Sequence, residues 1–401
     1  MKILFVSQEF PPETAWGGIG TYVDVLSEAI AAKGLEVHVL SAVNGQCHGT
    51  VSQAGVTVHR IGVPRVPGPG RVAPETWTRI VLAATVARAI RRLGIEPNVV
   101  ECPEWNAEGL GLALRGTLPL VVRLHSSARQ LFPHTGQGAG SGGLDGRLAA
   151  RLEDFCAQRA NAVISTGSNL DEVSGRLRLD MRATHAIPYP VRLPPLAPLP
   201  GAAAPRVTFV GRLEPRKAPD VLLAAAPKVL AALPATRFVF VGRDVMESGT
   251  PCSSAWLLRE ADRLGVAHAV QLRGQLDRAG VLEEMRRATV CAFPSRWESF
   301  GNVVAEAAAV GRPVVASAIA PFRELVVEGI TGRIVGGEGP EAWSAALLEL
   351  LRDRERARAM GSAGAVHVAR VSDPAGVADL TLAAHEQAIE RWRAGRRVAL
   401  V

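Results

Sequence analysis

Two carboxylates, Glu298 and Glu306, bracket the segment Ser299-Phe300-Gly301-Asn302 in a chain of 401 residues. The apolar run Val290–Phe293 ends there in a tight loop. A helix is expected to start at Gly301 or Asn302 and to stop at Gly311, before Pro313 opens the next strand. Unpaired backbone N–H groups at a helix start can hold an anion or a hydroxyl-rich ligand. Glu298, just ahead of the helix, can point at whatever docks there, and Glu306, about one turn inside, can accept hydrogen bonds from a vicinal diol. Two isolated glutamates would more often be an acidic helix start and an exposed side chain. Within the full run SxWESFGNVVAEAAAxGxPVVAS the ligand reading is preferred.

A second cluster pairs cations. The strand Arg206–Val210 exits into Gly211-Arg212, and Lys217 follows just before another helix. Arginine offers a rigid bidentate fork and lysine a mobile point charge, a combination suited to a diphosphate. Two solvated basic residues at a helix entrance would read the same way. A third segment, Phe10 to Tyr22, follows the first strand and carries Gly17 and Gly18, where backbone can approach a phosphate closely. Its spacing is GGxG and not GxGxxG, and no acidic residue ends the second strand at Val39-Leu40-Ser41, which argues against a dinucleotide site. His125 closes the strand Leu120–His125, an imidazole at the carboxyl end where ligands of such sheets sit. A lone histidine there is more often a satisfied core group.

Motifs for other chemistries are missing. There is no Asp-x-Asp, HExxH, GxSxG or GxxxxGK[ST], which disfavours a metal-bridged phosphate site, a zinc peptidase, a serine hydrolase and a P-loop NTPase. A site that held a diphosphate without Asp-x-Asp would have to use basic side chains and helix N-termini.

These residues need a framework of parallel sheets. Short apolar strands alternate with helical segments throughout, the pattern of α/β folds. Candidates in the first half are Ile3–Ser7, Glu36–Ser41, Thr57–Ile61, Val99–Glu101, Leu120–His125 and Ala162–Ser165. In the second they are Arg206–Val210, Arg237–Val241, Val270–Arg273, Val290–Phe293 and Pro313–Ala316. Between them Pro188, Pro190, Pro194, Pro195, Pro198, Pro200 and Pro205 mark an extended linker. Each half is long enough for its own doubly wound core, and a site is expected in a cleft between two such domains. The glycine-rich stretch His134–Gly146 is expected to be a loop, either a lid or a surface insertion.

Composition narrows the setting. With 48% apolar and 21% charged residues the chain is globular. Its first residues read as a strand and not a signal peptide, and no run is long enough to span a bilayer. Five scattered cysteines without CxxC support neither a disulfide framework nor a zinc site, so a cytoplasmic protein is expected. The formal charge of +7 suits anionic partners, but no nucleic-acid-binding motif accompanies it, and nucleic acid is not expected as a partner. The segment Val377–Arg397 has helical periodicity through Val377, Leu380, Leu382, Ala383, Ala388, Ile389 and Trp392. Its arginines 391, 393, 396 and 397 could meet an anionic membrane, although a solvated face is the favoured reading. Nothing in the pattern specifies an oligomer.

Taken together, KILFVSQEFPPETAWGGIGTY, ECPEWNAEG, RLHSS, VGRLEPRKAPD, FVGRD and the E-x7-E pattern from Glu298 to Glu306 resemble family 4 of the retaining, nucleotide-sugar-dependent glycosyltransferases. The resemblance covers nearly the whole chain. It implies a GT-B fold, with two Rossmann-like doubly wound domains facing a central cleft. Residues 1–190 would bind the acceptor, residues 191–376 the donor, and the helix of about 377–401 would pack back on the first domain. Arg212 and Lys217 would bind the donor diphosphate, Glu306 the ribose hydroxyls, and Glu298 a donor-sugar hydroxyl. The amides of Phe300, Gly301 and Asn302 would hold sugar and phosphate, with Gly17 and Gly18 approaching from the other domain and His125 near the sugar's primary hydroxyl. Such a bacterial enzyme would need no metal or cofactor, only the nucleotide-sugar donor, with a UDP-sugar favoured, and a hydroxyl acceptor.

The resemblance also implies retention by same-face attack, with the leaving phosphate accepting the acceptor's proton. An aminoglycoside-like natural product, a lipid-linked sugar or a cell-surface glycan precursor would be the acceptor. Ala218 stands where many relatives have glycine, and Arg243-Asp244 replaces part of a VG-x-G pattern. The alternatives are a sugar-nucleotide epimerase of the same fold and a non-catalytic sugar- or nucleotide-binding module.

Overall fold

Most of the apolar runs become inner strands of two sheets in the computed structural model, which describes residues 1–12, 17–44, 49–64, 72–134, 143–195, 204–245 and 249–398. Residues 135–142 of the glycine-rich stretch, Glu13–Trp16 of the third motif and 196–203 of the proline-rich segment lie outside the described residues. The chain forms two units, one of Met1–Pro190 with Pro374–Val401 and one of Val191–Asp373.

In the first unit the strands are β1 (Lys2–Val6), β2 (Glu36–Asn44), β3 (Gly49–Gln53), β4 (Val56–Val63), β5 (Val99–Pro103), β6 (Leu120–Arg123), β7 (Ala162–Ser165) and β8 (Thr184–Ala186). They run in the order β3-β4-β2-β1-β5-β6-β7-β8. Every pairing is parallel except that of β3 with β4. Strands in the middle of such a sheet are covered on both faces, which is why Ile3, Leu4, Val99, Val121 and Val122 are fully buried.

The second unit holds β9 (Arg206–Val210), β10 (Arg237–Val241), β11 (Val270–Gly274), β12 (Val290–Phe293), β13 (Val314–Ser317) and β14 (Gly332–Val335). All are parallel, in the order β11-β10-β9-β12-β13-β14. Counted within the unit this is 3-2-1-4-5-6, the Rossmann order, whose direction of winding reverses between its first and fourth strands. That switch point, between β9 and β12, is where open α/β sheets bind ligands.

Several expectations are corrected. β3, β8 and β14 were not anticipated: β3 is exposed throughout and pairs only with β4, and β8 has three residues. Neither carries the apolar run that marks an inner strand. β6 stops at Arg123, so His125 lies beyond the strand and does not close it. The expected loop His134–Gly146 is shortened at both ends, because His134 belongs to a 3-10 turn and Leu144, Asp145 and Gly146 open the helix Leu144–Arg159.

The final helix, Pro374–Val398, packs on the helix Gly18–Ala31 and on β7. Its buried face is Val377, Ala378, Thr381, Ala384, His385 and Ala388, whereas Leu380 is exposed. The small alanines allow close approach, and the stripe centres on a polar contact. His385 Nε2 lies 2.6 Å from Glu101 Oε2, and Glu101 Oε1 accepts the Tyr22 hydroxyl at 2.7 Å. No helix among the described residues is long and apolar enough to cross a membrane. Removing one partner of a buried polar pair strands the other, so His385→Ala is expected to cost about 3 kcal/mol of stability, more than Tyr22→Phe. Denaturant unfolding of both variants checks this, and a loss below about 1 kcal/mol for His385→Ala would show that the contact does not hold the helix.

Candidate functional site

The switch point of the second unit is built from two loops, one following β9 and one following β12. β9 leaves through Gly211, whose N–H donates to Val241 O at 2.9 Å, while Leu213 donates to Arg243 O at 2.9 Å. At Gly242 a Cβ would lie 1.8 Å from the Gly211 carbonyl oxygen, so this close approach of the β9 and β10 ends requires glycine. The chain then makes a 3-10 turn, Pro215–Lys217, and the helix Pro219–Ala232 begins.

That turn aims two adjacent cations at one carboxylate. Glu298, buried in the loop after β12, receives Lys217 Nζ, Arg216 Nη1 at 3.2 Å and the Ser295 hydroxyl at 3.0 Å. Burial alone would push the Glu298 carboxyl up, but the charges of Lys217 and Arg216 outweigh it and hold it down at about 2. Arg216 also bonds Glu214 at 2.6 Å and the Trp297 carbonyl at 3.2 Å. Arg212 pairs with Glu214 at 3.2 Å but keeps 47% of its side chain exposed, so its guanidinium remains accessible to a ligand. Arg296 ties the loops together, its N–H donating to Arg216 O at 2.8 Å and its side chain bridging Asp220 (2.8 Å) and Glu338 (2.7 Å).

The helix Asn302–Ala309 follows, and its N-cap residue, Gly301, has no side chain to cap it. Gly301 precedes it at φ 103°, and a Cβ there would lie 2.6 Å from the Phe322 ring, so both conformation and packing require glycine. Phe300 is buried. Glu306, one turn along, pairs with Arg278 at 3.3 Å, and burial pushes its carboxyl up while Arg278 opposes the rise. The structure thus gathers Arg212, Lys217 and Glu298, and gives Glu306 a different partner.

His125, Gly17 and Gly18 belong to the first unit. Gly17, which has no side chain to cap with, precedes the helix Gly18–Ala31. The Glu9 carboxylate lies against it: a Cβ on Gly17 would fall 2.1 Å from Glu9 Oε2, which accepts the Gly20 N–H at 3.2 Å. His125 is buried, and its backbone N–H donates to both oxygens of Glu104, at 2.8 and 2.7 Å. Burial pushes the Glu104 carboxyl up to about 8, even against those amide donors. The His125 Nδ1 pairs with the Tyr189 hydroxyl, while Nε2 is buried with no hydrogen-bond partner among the described residues.

Sequence reasoning missed Arg216, Ser295, Arg296, Glu104 and Tyr189. All but Tyr189 lie within or beside quoted motifs, but spacing does not tell which of two adjacent cations, Arg216 or Lys217, turns inward. Both do.

Residues 17–190 match a family described as glycosyl transferase 4-like domain, and residues 204–353 one described as glycosyl transferases group 1. The chain is 30% identical over 391 residues to a D-inositol 3-phosphate glycosyltransferase of Segniliparus rotundus, covering 93% of this chain and 85% of the relative. Among solved structures, sucrose-phosphate synthase from Thermosynechococcus elongatus aligns with a TM-score of 0.78 at 20% identity, over 96% of this chain and 99% of that one. Anabaena HepE, solved in complex with UDP and glucose, aligns with a TM-score of 0.71 at 20% identity, over 94% and 97%. These likenesses show that the two parallel α/β units form the GT-B fold.

Removing the Glu298 charge leaves Lys217 and Arg216 without their shared partner. Glu298→Gln is therefore expected to cost about 3–5 kcal/mol. The wild-type contribution is complete above the unfolded carboxyl value of about 4.3 and is lost as pH falls from there towards the folded value of about 2. Unfolding measured across that acid range should show this loss in the wild type and a flatter profile in the variant. Parallel profiles would contradict the pairing.

Proposed function

The chain belongs to the glycosyl transferases group 1 family, and from that premise we propose that it transfers a hexose from a nucleoside-diphosphate sugar to an acceptor hydroxyl, with retention at the anomeric carbon. The observation that carries this reading is the ionised, buried Glu298 gripped by Lys217 and Arg216 at the switch point of the second unit, with Arg212 accessible beside it.

On this reading Arg212 and Lys217 bind the donor diphosphate, together with the amides of Phe300, Gly301 and Asn302. Charge grows on that diphosphate as the anomeric C–O bond breaks, so cations already in place bind the transition state more strongly than the ground state. The loops supply this charge without a metal or cofactor. Glu298 Oε1 already accepts Lys217 and Ser295, while Oε2 accepts Arg216 and retains capacity for a sugar hydroxyl. A carboxylate held so tightly by two cations is a weak nucleophile, which favours same-face attack over a covalent glycosyl intermediate. The leaving phosphate oxygen then takes the acceptor's proton. Glu306 accepts the ribose hydroxyls.

A uridine nucleotide is the favoured donor, in keeping with the UDP bound to HepE. The acceptor is a polyhydroxylated small molecule or glycan precursor, bound by the first unit, and the inositol phosphate in the name of the Segniliparus rotundus relative fits that class. The enzyme works in the cytoplasm, and membrane contact through the terminal arginines is not favoured.

Ligand that binds only the folded state stabilises it, by about 2.7 kcal/mol at a hundred times Kd, and so raises the melting temperature. Thermal unfolding with UDP, GDP, ADP and dTDP in the presence of a chelator should therefore show stabilisation by one of them. Lys217→Ala should abolish it and lower kcat/KM for transfer by about a hundredfold or more. If no nucleoside diphosphate stabilises the protein, the donor site is misassigned; if one does and the sugar is isomerised with no acceptor added, the epimerase reading takes over.

A further inference from the structure

The imidazole of His125 packs against two tyrosine rings that also touch each other, and one of its nitrogens has no partner among the described residues. The Tyr22 ring meets it edge-on at 5.1 Å and 75°, and the Tyr189 ring at 5.3 Å and 79°. The Arg123 guanidinium lies over both tyrosines, 4.6 Å from one ring and 4.8 Å from the other, and donates to Ile187 O at 2.8 Å. Nδ1 has the Tyr189 hydroxyl, and Nε2, equally buried, has no partner among the described residues. Buried polar atoms are almost always satisfied, so a buried Nε2 without a protein partner is placed to bond a ligand.

We propose that Tyr189 is a positioning residue that donates its hydroxyl proton to His125 Nδ1 and so fixes His125 as a neutral ring with Nε2–H as its free donor. The reasoning concerns who holds which proton. Burial pushes the Tyr189 phenol up, so its oxygen keeps a hydrogen at any ordinary pH. Burial first, and then the charge of Arg123, push the His125 imidazole well down, so the ring carries one proton. The guanidinium beside the phenol favours an oxygen that presents lone pairs to Arg123 and its hydrogen to Nδ1. With Nδ1 accepting, the ring's own hydrogen belongs on Nε2.

The neighbouring Tyr22 ring, 5.0 Å from that of Tyr189, is secured from far away in the chain, since Tyr22 is held by Glu101 and Glu101 by His385 of the last helix. Main-chain freedom is removed as well, because both oxygens of Glu104 hold the His125 N–H.

This inference rests on the transfer reading for its ligand and specifies what His125 does there. A fixed Nε2–H donates to the oxygen of a substrate sugar hydroxyl. It cannot accept the acceptor's proton, which agrees with that proton going to the leaving phosphate.

The test uses the full chain with nitrogen-15 histidine, the His125 signals being assigned by their loss in His125→Gln. The wild type should show a protonated Nε2 and a bare, hydrogen-bonded Nδ1. In Tyr189→Phe the Nδ1 resonance should move towards that of an unbonded ring nitrogen, and kcat should fall about tenfold with donor KM within about twofold. The wild-type pH profile should lack a limb near the usual histidine value of about 6.5. A wild-type proton on Nδ1, or an Nδ1 resonance unmoved by Tyr189→Phe, overturns the assignment. A kcat unchanged in Tyr189→Phe overturns the positioning role. Protein that shows the expected nitrogen signals but transfers no sugar refutes the proposed function and leaves the tautomer assignment standing.

Discussion

A carboxylate buried as Glu298 is can remain ionised only if cations are delivered to it, and that requirement shapes the second unit. Lys217 and Arg216 come from the turn after β9, and Glu298 from the loop after β12, so the two strands must be neighbours although β10 and β11 intervene in the chain. The Rossmann strand order meets that demand, since it sets the first and fourth strands side by side with their connections departing in opposite directions. The glycines follow from the same constraint. Gly242 lets the β9 and β10 ends close up, and Gly301 turns the chain under Phe322 so that an uncapped helix starts beside the charged cluster.

The first unit solves a related problem with more partners. Its interior holds Glu101, Glu104, Arg123, His125 and His385, all buried, each costly to desolvate unless answered. The answers come from different elements: a tyrosine on the first helix, main-chain amides beyond β6, a tyrosine near the end of the unit and a histidine on the last helix. Such a network rigidifies the side chains it joins, the His125 imidazole among them. In the first unit the pairing leaves His125 Nε2 unanswered, as it does Arg123 Nε and Nη1 and His385 Nδ1; in the second it leaves an accessible arginine and a carboxylate oxygen with spare capacity.

Both units hold their charges in place before any ligand arrives. Lys217 is fixed by Glu298, Arg212 is tethered by Glu214, and the start of the first helix is met by Glu9. A group already oriented pays little in reorganisation when charge develops, which is how electrostatic catalysis gains over water.

Much of this was legible from local sequence. Inner strands such as Arg206–Val210 and Val290–Phe293 declare themselves as short apolar runs, because a strand covered on both faces has no polar side to show. Gly211-Arg212 to Lys217, and Glu298 to Glu306, were legible as motifs, and the likeness to a glycosyltransferase family followed from them. What spacing could not show is which side chains turn inward and whom they meet. Arg216 and Lys217 are adjacent and both reach Glu298; Leu380 fits a helical stripe yet is exposed, while His385 occupies the buried face. The edge strand β3 is polar and exposed, so no pattern announced it. Tyr189 with His125 and His385 with Glu101 are separated by 64 and 284 residues. Periodicity and propensity act over a few residues and therefore determined the elements and motifs. Partnerships between buried polar groups depend on which distant elements pack together, and only the tertiary structure decides that.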